Sequence, residues 1–267
     1  MSFFERYKPN HSENRLMHEG DVEHSREHFY ANRGNNLEFL LKQRYDWMNK
    51  YIQRDDVVID VGCGSGLSQE FINTNHLFLS DVENHDWVDI VTDAQDMKCI
   101  DDGIANVVIT SNSIHHFSNP LKFFQEAHRI LSPNGYLLIQ EFNCSILGML
   151  ILKIMRHEGW DWNVNPFYNR ENRSNPWDAN TAIPNLIFDR HWKHELEMQG
   201  WKIEHQSFSE CLLLPLSGGV VAKAPTIQLP RIVLKLFRFV DIVLVTLLPQ
   251  VFALQRQTVL RKVNERD

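Results

Sequence analysis

The sequence has few cysteines and no recognisable targeting segment. Its 4 cysteines include no CxxC pair, so neither a disulfide framework nor a zinc site of the usual spacing is predicted. The N-terminal stretch MSFFERYKPNHSENR is polar and mixed in charge, unlike a secretory signal. There is also no internal repeat and no low-complexity tract. These absences favour a globular protein of the reducing cytoplasm.

The sequence has no uninterrupted apolar run long enough to span a bilayer. A spanning helix needs about 20 apolar residues. The longest apolar region, residues 229–254, is interrupted by Arg231, Lys235, Arg238, Asp241 and Pro249. Three alternatives stay open for it: its helices pack on the rest of the fold, line a pocket for an apolar acceptor, or lie on an anionic membrane. The last would place the protein at the inner face of a membrane.

Positive charge is scarce and unevenly distributed. The 27 Lys and Arg residues are outnumbered by 34 Asp and Glu, a net charge of −7, so no nucleic-acid partner is expected. Residues 222–267 nevertheless carry 8 basic and 3 acidic residues, a net +5, whereas residues 1–221 carry 19 and 31, a net −12. The C-terminal region is therefore both apolar and basic, on an acidic body.

Short apolar segments alternate with helical patterns along most of the chain. Seven segments have strand composition: residues 55–62, 76–81, 87–93, 106–112, 135–142, 201–208 and 252–263. Continuous apolar strands of this kind are buried on both faces of a sheet, and their alternation with helices indicates a doubly wound α/β fold. We predict a Rossmann-like sheet of seven strands, mostly parallel, with an antiparallel last strand and helical cap insertions.

Three regions interrupt this alternation and divide the chain. A polar helical cap is predicted over residues 1–54, and a lid rich in aromatic residues and Asn over 144–186. An apolar helical insertion is predicted over residues 211–251. The ligand-binding core then comprises the remaining segments, which are residues 55–143, 187–210 and 252–267.

The first strand leads into a glycine-rich loop, VVIDVGCGSGLSQEF, at residues 57–71. A nucleoside triphosphate loop would require a lysine after its last glycine, and none follows Gly66. A dinucleotide loop of the GxGxxG type would require a third glycine where Leu67 stands. The pattern is instead an acidic residue, Asp60, followed by Gly62, Gly64 and Gly66 on alternate positions.

This pattern resembles that of class I S-adenosylmethionine-dependent methyltransferases. The amino-acid end of that cofactor is a zwitterion, and glycines at 62 and 64 let the backbone approach it. Asp60 offers a negative charge to the ammonium group, and a helix beginning after Gly66 would favour the carboxylate. The resemblance thus implies that S-adenosylmethionine is the cofactor.

The resemblance continues in order through residue 142. Asp81 ends the second strand, 19 residues beyond Gly62, where an acidic residue bonds the ribose hydroxyls in folds of this kind. By resemblance, Asp93 would bond the adenine amino group and Ala94 would supply a backbone donor. The segments TSNSIHHFSNP and LSPNGYLLIQEF also match the family's pattern. The resemblance further implies that the cofactor is approached by Cys63, Val82 and Asn112.

Two histidines follow the fourth strand, at the predicted mouth of the site. The sulfonium is an activated methyl donor, so the protein must align a nucleophile and exclude water. A histidine can take the proton of a hydroxyl acceptor, and His116 is the first candidate for this base, with His115 second. The alternative is that both histidines only pack or bond the loop. We expect O-methylation and predict no metal site.

The acceptor must be recognised by the added regions, because the sheet accounts only for the cofactor. The lid combines amide side chains with aromatic ones, which suit a sugar ring or pack on the core: Trp160, Trp162, Phe167, Tyr168 and Trp177. We therefore expect a small-molecule, sugar-linked or lipid-like acceptor. Two other functions stay open: a cofactor-binding partner or sensor without catalysis and, against the position of Gly66, a nicotinamide-dependent oxidoreductase.

Overall fold

The computed structural model describes residues 5–9, 21–32, 34–156, 158–168, 179–189, 192–220 and 226–263. The strands are β1 (Arg6–Tyr7), β2 (Val57–Val61), β3 (His76–Asp81), β4 (Ile90–Val91), β5 (Ala105–Ser111), β6 (Leu131–Phe142), β7 (Trp160–Asp161), β8 (Trp201–Ser209) and β9 (Gln255–Lys262). The helices are α1 (Val22–Asn32), α2 (Asn35–Asp46), α3 (Pro120–Ile130), α4 (Ile146–Met155), α5 (Ile183–Asp189), α6 (Lys193–Glu197), α7 (Leu213–Ser217), α8 (Arg231–Leu247) and α9 (Pro249–Phe252).

Seven strands form one sheet in the order β4-β3-β2-β5-β6-β9-β8. The neighbouring pairs from β4 to β6 are parallel, and β9 runs antiparallel to both β6 and β8. The predicted α/β architecture, with its antiparallel last strand, is confirmed. A small second sheet pairs β1 with β7 and joins the N-terminal segment to the lid.

The third predicted strand, residues 87–93, is reduced to Ile90–Val91. The side chain of Asp89 explains the shortening, because its Oδ2 accepts the Leu79 N–H at 2.8 Å. A carboxylate here replaces a backbone carbonyl in the pairing with β3. The observed strand therefore lacks the first three of the predicted residues, and it also ends two residues early.

Both faces of the sheet are covered, as the apolar strand pattern predicts. Alternate residues of each strand point to opposite faces. One face packs against α3, α5 and α6, and the other against α1 and α2. Val58 and Ile59 are both buried although they face opposite layers.

The helix expected after the glycine loop is only a single 3-10 turn, Leu67–Glu70. One turn has too few aligned peptide dipoles for the anion-binding argument made from the sequence. The N-terminal helices α1 and α2 occupy this face instead, where Phe29, Leu41 and Tyr45 pack beside Leu67.

The apolar insertion emerges at the edge of the sheet that carries the glycine loop. Since β8 is parallel to β6, both strands end at that edge, and the antiparallel β9 begins there. Helices α7, α8 and α9 connect β8 to β9. Of the helices in the described ranges, none combines the length and apolarity needed to cross a membrane.

Candidate functional site

The glycine loop is tied to the end of the neighbouring strand β3. Gly62 N–H and Cys63 N–H both donate to the Ser80 carbonyl, at 2.9 and 3.0 Å. Gly64 N–H donates to Asp81 Oδ2 at 2.8 Å. The loop thus curls over the carboxyl ends of β2 and β3, where ligands bind in sheets of this type.

Two of the loop glycines are required by both conformation and space. Gly62 and Gly66 have φ of 70° and 64°, a region that side chains with a Cβ rarely adopt. A Cβ at Gly62 would lie 2.7 Å from Ser113 Oγ, and one at Gly66 would lie 2.5 Å from Trp87 Cδ1. The alternating glycines therefore let the loop pack between β3 and the segment after β5.

The carboxylate proposed for the ribose lies at the rim of this loop. Asp81 is half-buried, and its second oxygen, Oδ1, accepts the Glu83 N–H at 3.2 Å. A carboxylate has about four acceptor positions, so two such bonds leave capacity for a diol. The neighbouring Val82 side chain is 67% exposed and offers an apolar surface on which a flat ring can pack.

The two residues proposed for the adenine follow β4. Asp93 Oδ1 accepts from Gln95 N–H at 2.8 Å and from Gln95 Nε2 at 3.1 Å, while its side chain stays exposed. Ala94 is buried. Their cofactor contacts, like those of Asp81 and Val82, stay predictions.

Asp60 lies beneath the loop rather than at its surface. The side chain is buried, and Oδ2 accepts the Ser68 hydroxyl at 2.5 Å. Burial raises the pKa of Asp60 to about 7, the Ser68 hydrogen bond opposes this, and the Asp81 carboxylate raises it further. The charge of this carboxylate therefore depends on pH near neutrality.

The outer side of the loop is covered by α1 and by the link after β3. Arg26 donates to the Ser65 carbonyl and Trp87 Nε1 to the Gly64 carbonyl, both at 2.8 Å. The Arg26 guanidinium also lies 4.7 Å from the Trp87 ring centroid.

Burial and the nearby carboxylates of Asp60 and Asp81 raise the pKa of Cys63 well above its usual value, so this thiol is no thiolate nucleophile.

His115 belongs to a buried ion-pair network. Its Nδ1 lies 2.6 Å from Glu141 Oε2, and its Nε2 lies 3.3 Å from Glu158 Oε2. Burial lowers the pKa of His115, but the Glu141 and Glu158 carboxylates outweigh it and raise the pKa to about 10. A histidine that stays protonated at neutral pH acts poorly as a base, which favours His116 for that role.

Glu141 orients the segment that carries both histidines. It is fully buried at the end of β6 and accepts the Ser113 and Ile114 N–H groups at 2.8 and 2.6 Å. Ser113 Oγ then donates to the Gly62 carbonyl at 3.1 Å. Sequence reasoning missed Glu141, although a carboxylate in the apolar segment LLIQEF was a usable signal.

His116 is the more accessible of the two histidines. Its side chain is 25% exposed, and Nε2 lies 3.4 Å from Glu158 Oε1. Glu158 comes from the lid, and no local sequence pattern identifies it as a candidate site residue. Within the described ranges, a group that could hold a metal ion is formed by His115, His116 and Glu158, whose candidate ligand atoms lie within 4.8 Å of one another. The ion pairs of Glu158 with the two histidines also account for the short distances among these atoms.

Asn112 connects the mouth of the site to the strand that follows the apolar insertion. It has a φ of 55°, its N–H donates to the Gln140 carbonyl at 2.8 Å, and its Oδ1 accepts from Gln255 Nε2 at 3.0 Å. The proposed cofactor residue is therefore held by β6 and β9. Its contact with the cofactor stays a prediction.

Only part of the lid is available to an acceptor. Trp160 and Phe167 are buried in apolar clusters, as the packing alternative expects. Trp162 is half-buried, and Tyr168 is 60% exposed. Trp177, another of the aromatic residues proposed to face a sugar, lies outside the described residues, as do Asn169, Asn172 and Asn175.

The fold and the converging strand ends define a class I S-adenosylmethionine-dependent methyltransferase domain. The comparison with protein families agrees, since residues 23–206 match the methyltransferase domain family. The match covers more than half of the chain, and the protein belongs to this family. S-adenosylmethionine is accordingly the expected cofactor. The nicotinamide alternative is not supported.

Two solved structures are similar to this one at low sequence identity, and the first, with a TM-score above 0.5, shows the same fold. A SAM-dependent methyltransferase from Archaeoglobus fulgidus is 17% identical, with a TM-score of 0.51, over 88% of this chain and 97% of that chain. A SAM-dependent methyltransferase from Methanosarcina mazei is 14% identical, with a TM-score of 0.47, over 83% of this chain and 99% of that chain. No curated protein gives a significant sequence match.

Proposed function

We propose that the protein transfers the methyl group of S-adenosylmethionine to a hydroxyl group of a small-molecule, sugar-linked or lipid-like acceptor. The observation that carries this proposal is the convergence of the glycine loop, Asp81 and His116 at one edge of the sheet. Methyl transfer needs the donor and the acceptor oxygen in line and shielded from water. The N-terminal helices and the lid bracket this edge and supply that shielding.

In this proposal residues at the ends of β2, β3 and β4 would hold the cofactor. Glycines 62 and 64 admit its amino-acid end, and Asp60 supplies negative charge from below. Asp81 bonds the ribose, and Asp93 and Ala94 hold the adenine beside Val82. Cofactor binding supplies the activated methyl group, and the chain supplies orientation.

His116 takes the proton of the acceptor hydroxyl in this proposal. Its place beside Glu158 supports the role, because a nearby carboxylate stabilises the imidazolium that forms. His115 is a positioning residue, paired with Glu141 and Glu158. The cysteines in the described residues are free, which supports a reducing, cytoplasmic setting.

Cofactor binding by calorimetry tests the first half of the proposal. Asp81→Ala removes the acceptor for the ribose diol, and we expect its affinity for S-adenosylmethionine to fall roughly tenfold or more, as for two charge-assisted hydrogen bonds. Glu83→Ala is the matched control, because it removes a neighbouring exposed carboxylate and should bind as the wild type does. Unchanged binding by Asp81→Ala would overturn the ribose assignment.

Transfer of labelled methyl groups to a panel of phenols, sugars and hydroxylated lipids tests the second half. His116→Ala should lower turnover roughly 10²- to 10⁴-fold, the usual contribution of a general base, with cofactor affinity unchanged. Turnover should survive removal of metal ions by a chelator. Loss of turnover on chelation would mean that the cluster at Glu158 holds a metal instead. Cofactor binding with no transfer to any acceptor would favour the non-catalytic alternative.

A further inference from the structure

The apolar insertion leaves one face of its longest helix uncovered. On α8, large apolar side chains with exposures between 38% and 74% lie on one side: Ile232, Leu236, Phe239, Ile242, Val243 and Leu247. We call this set the α8 outer face. Ile232, Leu236, Phe239, Val243 and Leu247 follow one another at spacings of three or four residues, which is one helical stripe, and Ile242 widens it. Contiguous exposed apolar surface of this kind marks an interaction site.

The opposite side of α8 is fixed to the protein, so the helix cannot turn its apolar stripe inward. Leu234, Asp241 and Val245 are buried. The Asp241 carboxylate accepts three backbone N–H groups, those of Cys211 at 3.0 Å, Leu212 at 2.7 Å and Leu213 at 3.1 Å. The charge that interrupts the apolar sequence thus anchors the helix through the start of α7.

A second helix of this region also exposes an apolar stripe. On α4, Ile146, Leu150 and Ile154 are spaced four apart and are 50%, 47% and 49% exposed. Helix α9 contacts both α4 and α8, and the inner sides of α4 and α8 share one apolar cluster. Two adjacent helices therefore expose apolar stripes.

Basic side chains accompany the apolar stripe. Arg231, Lys235 and Arg238 are exposed on α8, and Arg231 contacts Glu38 only loosely, at 3.6 Å. The single acidic residue of α8, Asp241, is buried, so the exposed charges of this helix are all positive, whereas the whole chain carries a net −7. An anionic surface therefore attracts the exposed side of α8 and repels the acidic remainder, which orients the approach.

We propose that the α8 outer face is a docking surface for a bilayer containing anionic phospholipids. A helix of 17 residues is about 25 Å long, too short to cross the hydrocarbon core and suited to lying in the plane of the interface. Its apolar side chains enter the acyl boundary, and the Lys and Arg side chains reach the lipid phosphates.

Docking in this way has a consequence for the acceptor, which rests on the proposed function. The helices α7 to α9 connect β8 to β9 at the edge that carries the glycine loop and His116. A protein held on the bilayer by α8 therefore presents its methyl-transfer site close to the headgroup region. A hydroxylated lipid or a lipid-linked precursor fits this placement better than a freely diffusing sugar.

Co-sedimentation with vesicles tests the docking surface directly. The wild type should sediment with mixed phosphatidylglycerol–phosphatidylcholine vesicles far more than with pure phosphatidylcholine, and salt should weaken the binding. The double variant Leu236→Ser, Phe239→Ser should have a partition coefficient onto these vesicles that is lower by roughly tenfold or more, because it removes two inserted side chains. The triple variant Arg231→Gln, Lys235→Gln, Arg238→Gln should lose the preference for anionic lipid.

Matched controls separate docking from misfolding. Met198→Ser removes a side chain that is 61% exposed elsewhere, and Lys98→Gln removes an exposed charge on the acidic body; both should sediment as the wild type does. Each variant must still bind S-adenosylmethionine, a measurement that also distinguishes failure of docking from failure of the proposed function. The docking proposal is overturned if folded wild type ignores anionic vesicles. It is equally overturned if the wild type forms a dimer that Phe239→Ser dissociates, and neither protein binds lipid.

Discussion

At the scale of single residues, the site shows how one side chain can take a place that its sequence pattern does not reveal. Asp60 precedes the glycines and was expected to offer a negative charge to the cofactor's ammonium, directly or through water, which stays a prediction. Its carboxylate is buried under the loop, where it accepts the Ser68 hydroxyl. Its influence on a ligand is therefore that of a charge acting from below. That charge is present only when the carboxyl is ionised.

Cofactor affinity should consequently depend on pH through Asp60. Burial, opposed by Ser68 and assisted by Asp81, raises the pKa of this group to about 7, so the carboxyl becomes neutral as pH falls. Between about pH 7.5 and pH 6 we expect affinity for S-adenosylmethionine to fall by up to roughly eightfold, the change in ionised fraction. Calorimetry at several pH values measures it.

The control is Asp60→Asn, which keeps an acceptor for Ser68 and has no charge to titrate. Its affinity should be flat over the same pH range. The folded state also binds more protons than the unfolded state between about pH 4 and pH 7, so Asp60 makes the wild type less stable as pH rises. If cofactor affinity changes with pH equally in the wild type and in Asp60→Asn, Asp60 does not cause the change.

At the scale of elements, a buried ion pair joins the N-terminal cap to the residue that precedes the apolar insertion. Arg44 of α2 makes two hydrogen bonds of 2.8 Å to Glu210, which follows β8. Both side chains are nearly inaccessible, at 6% and 4% exposure. Gln140 Nε2 donates to Glu210 at 3.3 Å. The cap is thereby fixed at the edge of the sheet where the site lies.

Removing one partner of this pair should destabilise the protein strongly. Glu210→Ala leaves the Arg44 guanidinium buried without its carboxylate, which costs about 3–5 kcal/mol of unfolding free energy. The exposed pair Lys42–Asp46 on the same helix supplies the control, since Asp46→Ala should cost less than about 1 kcal/mol. Denaturant titration measures both.

A double variant sharpens the test of the ion pair. Arg44→Met combined with Glu210→Leu replaces both charges by apolar groups of similar size and should restore most of the lost stability. If Glu210→Ala and Asp46→Ala lose an equally small free energy of unfolding, the buried pair stabilises the protein no more than the exposed pair does.

At the scale of the whole molecule, the site is assembled from segments that are distant in sequence. Helix α1 covers the glycine loop, β3 provides Asp81, the segment after β5 provides His116, and the lid provides Glu158. A ligand that contacts several of these segments binds only the folded state. Its binding free energy therefore adds to the stability of the entire domain.

Saturating S-adenosylmethionine should raise the unfolding temperature. At a concentration about 100 times its dissociation constant the gain is about 2.7 kcal/mol, which corresponds to roughly 5–10 °C for a domain of this size. Thermal unfolding followed by fluorescence measures the shift. Asp81→Ala, if its affinity falls roughly tenfold, should lose about half of the shift at the same ligand concentration, and more if its affinity falls further, whereas Glu83→Ala should retain it. A shift of equal size in all three proteins would place the ligand away from Asp81.

The sequence was sufficient for the fold class and the identity of the loop, because these depend on local patterns. Apolar runs of strand length indicate a doubly covered sheet, and α3 begins at Pro120, a residue that favours the first position of a helix. The alternating glycines, the absent lysine and Asp81 were enough to favour one cofactor over two others. The helix expected after Gly66 was wrong, since its place is taken by α1 and α2.

The tertiary structure decided what depends on contacts between distant segments. Glu141 and Glu158 come from β6 and the lid, and only folding places them against His115 and His116. Whether α8 packs inward or faces outward was also open, because its apolar residues occur on both sides of the helix. The buried Asp241 settles its orientation, since a carboxylate that bonds three backbone amides cannot move to the surface. The sequence by itself determined the fold and the methyl donor, and only the packing decided which side chains line the site and which apolar face stays uncovered.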